Sequence, residues 1–265
     1  MTALATLCAV LALIPLIAVL AYVLINGFAG LNPSVFLELP PAPGLKGGGF
    51  GNAFIGTLLT VGIAAAMSIP FGIIGAIYLS EFGRDTKWAD WINFFTNVLS
   101  GVPSIVIGAF AYAVVVLATG TFSAVAGGFA LAVLMVPTIV RTAAEALEAV
   151  PNDFRQAAIG LGATRMQTTL RVVLPAAVPA IVTGVMLAIA RAAGETAPVL
   201  FTASFNRFWN TTLWQPTATM SRLVFDFATS PFKSQQELAW AGSLVLVALV
   251  LITSVLSRFV IRRKR

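Results

Sequence analysis

The sequence contains no histidine and a single cysteine, Cys8, which lies in an apolar run. One thiol cannot close an intrachain disulfide, and a Cys/His metal site cannot be assembled from it. An imidazole base is likewise missing, no Gly-x-Ser-x-Gly elbow appears, and no paired aspartates fall inside the apolar runs. Hydrolytic chemistry within the membrane therefore has no visible machinery, and no catalytic or metal-binding residue is expected.

Charge is equally scarce. Charged residues make up 10% of the chain and hydrophobic residues 58%, whereas a water-soluble domain carries roughly 25% charge. A chain of 265 residues cannot hide that much apolar side chain in one core, so the lipid bilayer must serve as its solvent.

Six stretches reach the roughly 20 residues that a helix needs to cross the hydrocarbon layer. They are Thr2 to Ile25, Asn52 to Ser80, Ile92 to Thr119, Thr121 to Val140, Pro175 to Ala203, and Leu238 to Leu256. Each is continuously apolar rather than alternating, which predicts helices and excludes a barrel. The first run lacks a basic leader and exceeds the roughly 7–15 residues of a signal core, so it is read as a retained span. The expected fold class is an all-α membrane protein with six transmembrane helices.

The basic residues set the orientation. With the C-terminus in the cytoplasm, the inner segments hold Arg84, Lys87, Arg141, Arg155, Arg165, Arg171, Arg258, Arg262, Arg263, Lys264 and Arg265. The outer segments hold Lys46, Arg207, Arg222 and Lys233. This asymmetry follows the positive-inside rule and, with an even number of spans, predicts that both termini are cytoplasmic. The net charge of +6 is thus topological and forms no nucleic-acid patch. Two outer segments are long. Asn26 to Gly51 is rich in Pro and Gly and reads as loop. Residues 204–237 carry Phe205, Phe208, Trp209, Trp214 and Phe232, aromatic residues that favour the membrane–water boundary, and should lie on or dip into the outer surface.

The longest inner segment, 142–174, carries the most specific pattern. Asp153 and Gln156 have capping-box spacing. Phe154, Ala157, Ala158 and Leu161 then recur on one face of a short helix that Gly160 and Gly162 end. Thr164 and Gln167 open a second helix, and Pro175 marks the start of span five. A short surface helix with small residues on one face suits docking in a partner's groove, because another backbone can approach closely.

Span five contains Arg191 and Glu195. An ionisable side chain there costs at least ~2.5–3.5 kcal/mol on insertion scales, and the spacing of four allows the two to pair on one face. Measured from Pro175, Arg191 lies ~24 Å along the helix. Two roles fit: an arginine whose fork of donors meets an oxyanion in a transport pathway, or a self-neutralising pair that locks span five to a neighbour.

Two sets of residues carry a resemblance. Gln156-Ala157-Ala158, three residues, Gly162, nine residues, Val172, one residue and Leu174-Pro175 resemble the E-A-A-x3-G-x9-I-x-L-P loop of ATP-binding-cassette importer permeases, with Gln in place of the usual Glu. Arg191-Ala192-Ala193-Gly194-Glu195-Thr196-Ala197-Pro198 resembles the signature of the phosphate-specific transport (Pst) permeases, and its ending that of their A-type subunit. Gly51-Asn52-Ala53, Gly56-Thr57-Leu58, Ala76 through Glu81 and Gly101 through Gly108 agree with it.

The resemblance implies a type I importer architecture in the bacterial inner membrane, with the whole chain, 1–265, as one permease domain. It implies coupling to an ATPase through Asp153, Phe154, Arg155, Gln156, Ala157, Ala158, Leu161 and Gly162, and a phosphate pathway at Arg191, Glu195 and Thr196. The partners it implies are a PstC-type sister permease, two copies of a PstB-type ATPase and a periplasmic PstS-type phosphate-binding protein. ATP and Mg would then sit on the ATPase, with no cofactor in this chain, and Gly47-Gly48-Gly49-Phe50-Gly51, which no Gly-Lys-Ser/Thr follows, is read as a flexible loop. A permease for sulfate or molybdate, and a self-contained channel or ion-coupled transporter, remain open on the residues alone.

Overall fold

The computed structural model describes residues 2–83 and 85–262. Arg84, Arg263, Lys264 and Arg265, counted above among the inner basic residues, lie outside them. The described residues form helices and loops without a strand. Five helices long and apolar enough to cross a bilayer are α1 (Thr2–Gly30), α2 (Gly51–Phe82), α5 (Ala124–Glu148), α7 (Arg165–Gly194) and α10 (Lys233–Arg262). A sixth span is made from two pieces, α3 (Lys87–Gly101) and α4 (Ser104–Thr119), whose axes turn by 107°. Shorter helices are α6 (Asn152–Gly160), α8 (Ala197–Thr202) and α9 (Met220–Ala228).

The α2–α5 pair is the most extensive helix–helix contact among the described residues. Small residues make it possible. Ala64 is fully buried against a cluster with Leu131, Met135 and Ile139, while Gly128 lies directly on Ile63 and Gly72 on Ile139 with no room for a Cβ. Without a hydrophobic drive between helices in lipid, such close approach supplies the packing energy. Towards the end that carries the 149–164 loop, Ala76, Leu147, Val173, Ala177 and Ile181 continue the core. At the opposite end Phe50, Met220, Leu223 and Phe227 form a third cluster. Helix α1 lies at the margin, packed on α10 through Gly27 and Gly30 and an edge-to-face pair of Tyr22 and Trp240.

Several expectations change. The third apolar run is not one helix. Pro103 disfavours helical geometry at the residue before it, and Val102 is accordingly extended at φ −72°, ψ 129°. Pro103 therefore caps α4, and Gly101 sits at the bend with open space where a Cβ would lie. Gly108, Gly127 and Gly128 mark close approaches between helices. The fourth span begins at Ala124, capped by Ser123, and runs on to Glu148, so the inner segment 142–174 starts inside a helix.

Pro175 does not begin span five. The helix runs through it from Arg165 to Gly194, with a wide π turn at Thr169–Val173. A proline ring clashes with the carbonyl four residues earlier, here Arg171, and the wide turn at that point relieves the clash. The distance from Arg165 to Arg191 along the helix is thus ~39 Å at 1.5 Å per residue. At its far end the helix breaks at Glu195, which is extended (φ −72°, ψ 126°), and resumes as α8 with Pro198 in its first turn.

The segment 204–237 folds back onto the bundle. Thr217 N–H donates to the Ala203 carbonyl and Met220 N–H to Thr57 Oγ1 at 2.8 Å. The Ala218 carbonyl rests on Gly56, leaving no space for a side chain there. Helix α9 buries Met220, Leu223 and Phe227 against α2 and α10, while Phe208 and Trp214 stay exposed.

Candidate functional site

The two broken helices meet. Gly108 of α4 approaches the backbone of Ala197 and Pro198 in α8, so the half-helices beyond each break pack together. Beside them opens a cleft of about 200 Å³ between the α3–α4 bend, α5 and α7, lined by residues including Ser100, Pro103, Ser104, Pro137, Thr138 and Arg191.

Arg191 occupies the last turn of α7, and its side chain is 61% exposed. Its Nε donates to Glu195 Oε1 at 3.4 Å, the i, i+4 pair that the spacing predicts. Of the three residues expected in a pathway, Arg191, Glu195 and Thr196, Arg191 alone lines the cleft. Glu195 is half-buried at the helix break, where Ser221 Oγ donates to its carbonyl at 2.9 Å, and Thr196 precedes α8. A single 3.4 Å bond leaves most of the guanidinium donors free, so the cleft holds a fixed positive charge with donors to spare.

Helix α4 begins at the same place. Its cap, Pro103, supplies no side-chain hydrogen bond, so its first-turn N–H groups lack a side-chain cap. Such groups favour negative charge, and the cleft thereby combines an arginine with a helix N-terminus and three hydroxyls, those of Ser100, Ser104 and Thr138. Those hydroxyls and the bend escaped the sequence reading. Pro103 followed by Ser104 was the available signal, since Pro after a β-branched residue and before a serine marks a helix restart.

The second candidate surface is α6. Its predicted capping box is absent: the helix starts two residues earlier than a cap at Asp153 requires, at Asn152, with Pro151 at its cap and no side-chain bond. The Thr164–Gln167 box is present, with both reciprocal bonds. Gly162, at φ +86°, ends the turn as a left-handed residue, and Ala163 N–H returns to the Ala158 carbonyl. Phe154, Gln156, Ala157 and Leu161 are exposed, Leu161 at 90%, and Asp153 is exposed in the first turn. Ala158 is half-buried. Arg155 faces the opposite way and pairs with Glu81 at 2.6 Å, so the predicted set divides between an outward face and an inward anchor.

Comparison with known proteins agrees with this architecture. Residues 68–265 match the family described as binding-protein-dependent transport system inner membrane component. The phosphate transport system permease protein PstA of Yersinia pestis is 40% identical over 250 residues, covering 94% of this chain and 85% of that one. The corresponding protein of Haemophilus influenzae is 37% identical over 240 residues, covering 91% and 85%. Among solved structures, an inward-facing form of the MetNI methionine ABC transporter aligns with a TM-score of 0.67 at 17% identity, over 81% of this chain and 95% of its own. An amino acid ABC transporter crystallised with histidines aligns at 0.62 and 18% identity, over 81% and 93%. These two likenesses concern the fold. The chain belongs to the binding-protein-dependent transport system inner membrane component family, and its near-full-length relatives there are PstA-type permeases.

Proposed function

We propose that this chain is one membrane-spanning half of an ATP-driven importer that carries inorganic phosphate into the cytoplasm by alternating access. The observation that carries the reading is the exposed guanidinium of Arg191 on a cleft where α4 also presents its N-terminus. A tetrahedral oxyanion matches both groups: two oxygens meet the planar fork of donors, and the helix end offers N–H groups to a third. The names of the relatives support phosphate as the anion.

On this reading the cleft opens towards a PstC-type sister permease that supplies the other half of the pathway. A PstS-type binding protein delivers phosphate at the far end, and the 204–237 segment faces it. The outward face of α6, with Phe154, Gln156, Ala157 and Leu161, docks on one of two PstB-type ATPases, which hold ATP and Mg. Both termini are cytoplasmic. Glu195 holds Arg191 in place between substrates and competes with the anion for it, so that phosphate is gripped and then released.

The test is phosphate uptake into vesicles containing all four kinds of subunit, with sulfate as competitor, for the wild type and Arg191→Lys. Uptake that requires ATP, resists sulfate and is lost in Arg191→Lys is expected, since lysine keeps the charge without the fork. Competition by sulfate would reassign the anion. Uptake without ATP would sink the importer reading.

A further inference from the structure

Arg155 uses every donor of its guanidinium, and its partners include residues of two other helices. Nε and Nη2 donate to the Glu81 carboxylate, the shortest bond being 2.6 Å. Nη2 also donates to the Leu147 carbonyl at 2.8 Å. Nη1 donates to the Val150 carbonyl at 2.5 Å and to Asn152 Oδ1 at 3.5 Å. Glu81 belongs to the wide turn that ends α2, Leu147 to the last turn of α5, and Val150 follows it. The two side chains are 14% and 7% exposed. A second tie reaches the same turn, where the Arg165 guanidinium at the start of α7 lies over the Phe82 ring, 5.4 Å from its centre.

We infer that Arg155 is a positioning residue that makes α6, α2 and α5 move as one body, carrying displacement of the docking helix to the Arg191 cleft. The inference rests on the importer reading given above. Separating α6 from α2 or α5 would strand a buried carboxylate and two carbonyls that a single guanidinium satisfies. Breaking a buried, fully bonded charge pair is among the most unfavourable local changes a protein can undergo. Moving the three helices together breaks none of these bonds. Helix α5 in turn contributes Pro137 and Thr138 to the cleft, so its displacement reshapes the wall opposite Arg191. A lysine at 155 would keep the charge but could not reach both helices, having three donors on one atom and no planar fork.

The test measures phosphate uptake and ATP hydrolysis together in the reconstituted complex, for wild type, Arg155→Ala, Glu81→Ala and Arg155→Lys. The expected result is that uptake per ATP hydrolysed falls about tenfold in both alanine variants, a size typical of coupling between linked sites. Arg155→Lys should be intermediate. A purely structural role would lower both rates through lost protein and leave the ratio unchanged. Should the alanine variants fail to assemble, Arg155→Lys carries the test alone, because it retains the charge opposite Glu81. A wild-type ratio in every variant that assembles would overturn the inference while leaving the importer reading intact. A wild-type complex with no ATP-dependent uptake would overturn both.

Discussion

Gly108 and Pro198 meet backbone to backbone: a Cβ built on Gly108 would stand 2.9 Å from the Pro198 Cα. This contact joins α4 to α8, the half-helices that follow the two breaks, and so fixes the geometry around the cleft. Gly108→Val should destabilise the subunit by about 1–3 kcal/mol, the usual range for overpacking. It should also lower the thermal transition of the purified complex. Gly101, at the bend with open space around it, is the control, and Gly101→Ala should change stability by no more than about 0.5 kcal/mol. Equal effects from the two substitutions would show that the half-helices are not locked at this point.

Glu195 pairs with Arg191 from the helix break. Glu195→Gln removes the competing charge and leaves the guanidinium to the anion. Half-saturation for phosphate should shift to lower concentration while the maximal uptake rate falls, because release becomes slower. A fall in rate with unchanged or weaker half-saturation would assign the pair to helix locking instead.

Phe154 and Leu161 project from the outward face of α6, 58% and 90% exposed. Neither supports the subunit's own core, so Phe154→Asp and Leu161→Asp should alter its stability by no more than about 0.5 kcal/mol. Each should nevertheless release the ATPase in co-purification, since a charge would be buried without a partner. Gln156→Glu should retain it. Retention of the ATPase by both aspartate variants would remove α6 as the docking surface.

Arg191→Ala should abolish uptake while the four-component complex still assembles, because its side chain is largely exposed and bonded only to Glu195, four residues on at the end of the same helix. Size-exclusion chromatography of the detergent-solubilised complex, run beside the uptake assay, separates the two effects. Loss of the complex would return Arg191 to a purely structural role.

The spans were legible because a bilayer imposes one simple demand, some twenty apolar residues in a row. Breaks inside them were not, since an apolar run interrupted at Val102–Pro103 has the same hydropathy as an intact one. The short helix α6 was visible in its periodicity, but its start was not: Asp153 offered a cap, yet Pro151 fixes the turn and Asn152 leads the helix. Arg191 and Glu195 could be paired from spacing alone, being four residues apart at the end of one helix. The partner of Arg155 could not, because Glu81 lies 74 residues away and nothing in either local pattern points to the other. Local rules thus reached contacts within a helix and stopped at contacts between helices.

The unbroken run of α7 from Arg165 through Pro175 to Gly194 makes a lever of it. Arg165 rests on Phe82 at one end and Arg191 stands ~39 Å away at 1.5 Å per residue. Pivoting such a rod by about 5° about its lower end would sweep Arg191 through about 3 Å, roughly the length of a hydrogen bond. A hinge at Pro175 would have absorbed that rotation. The wide turn at Thr169–Val173 lets the proline pass without one, so a tilt too small to disturb the packing at one end suffices to make or break an anion contact at the other.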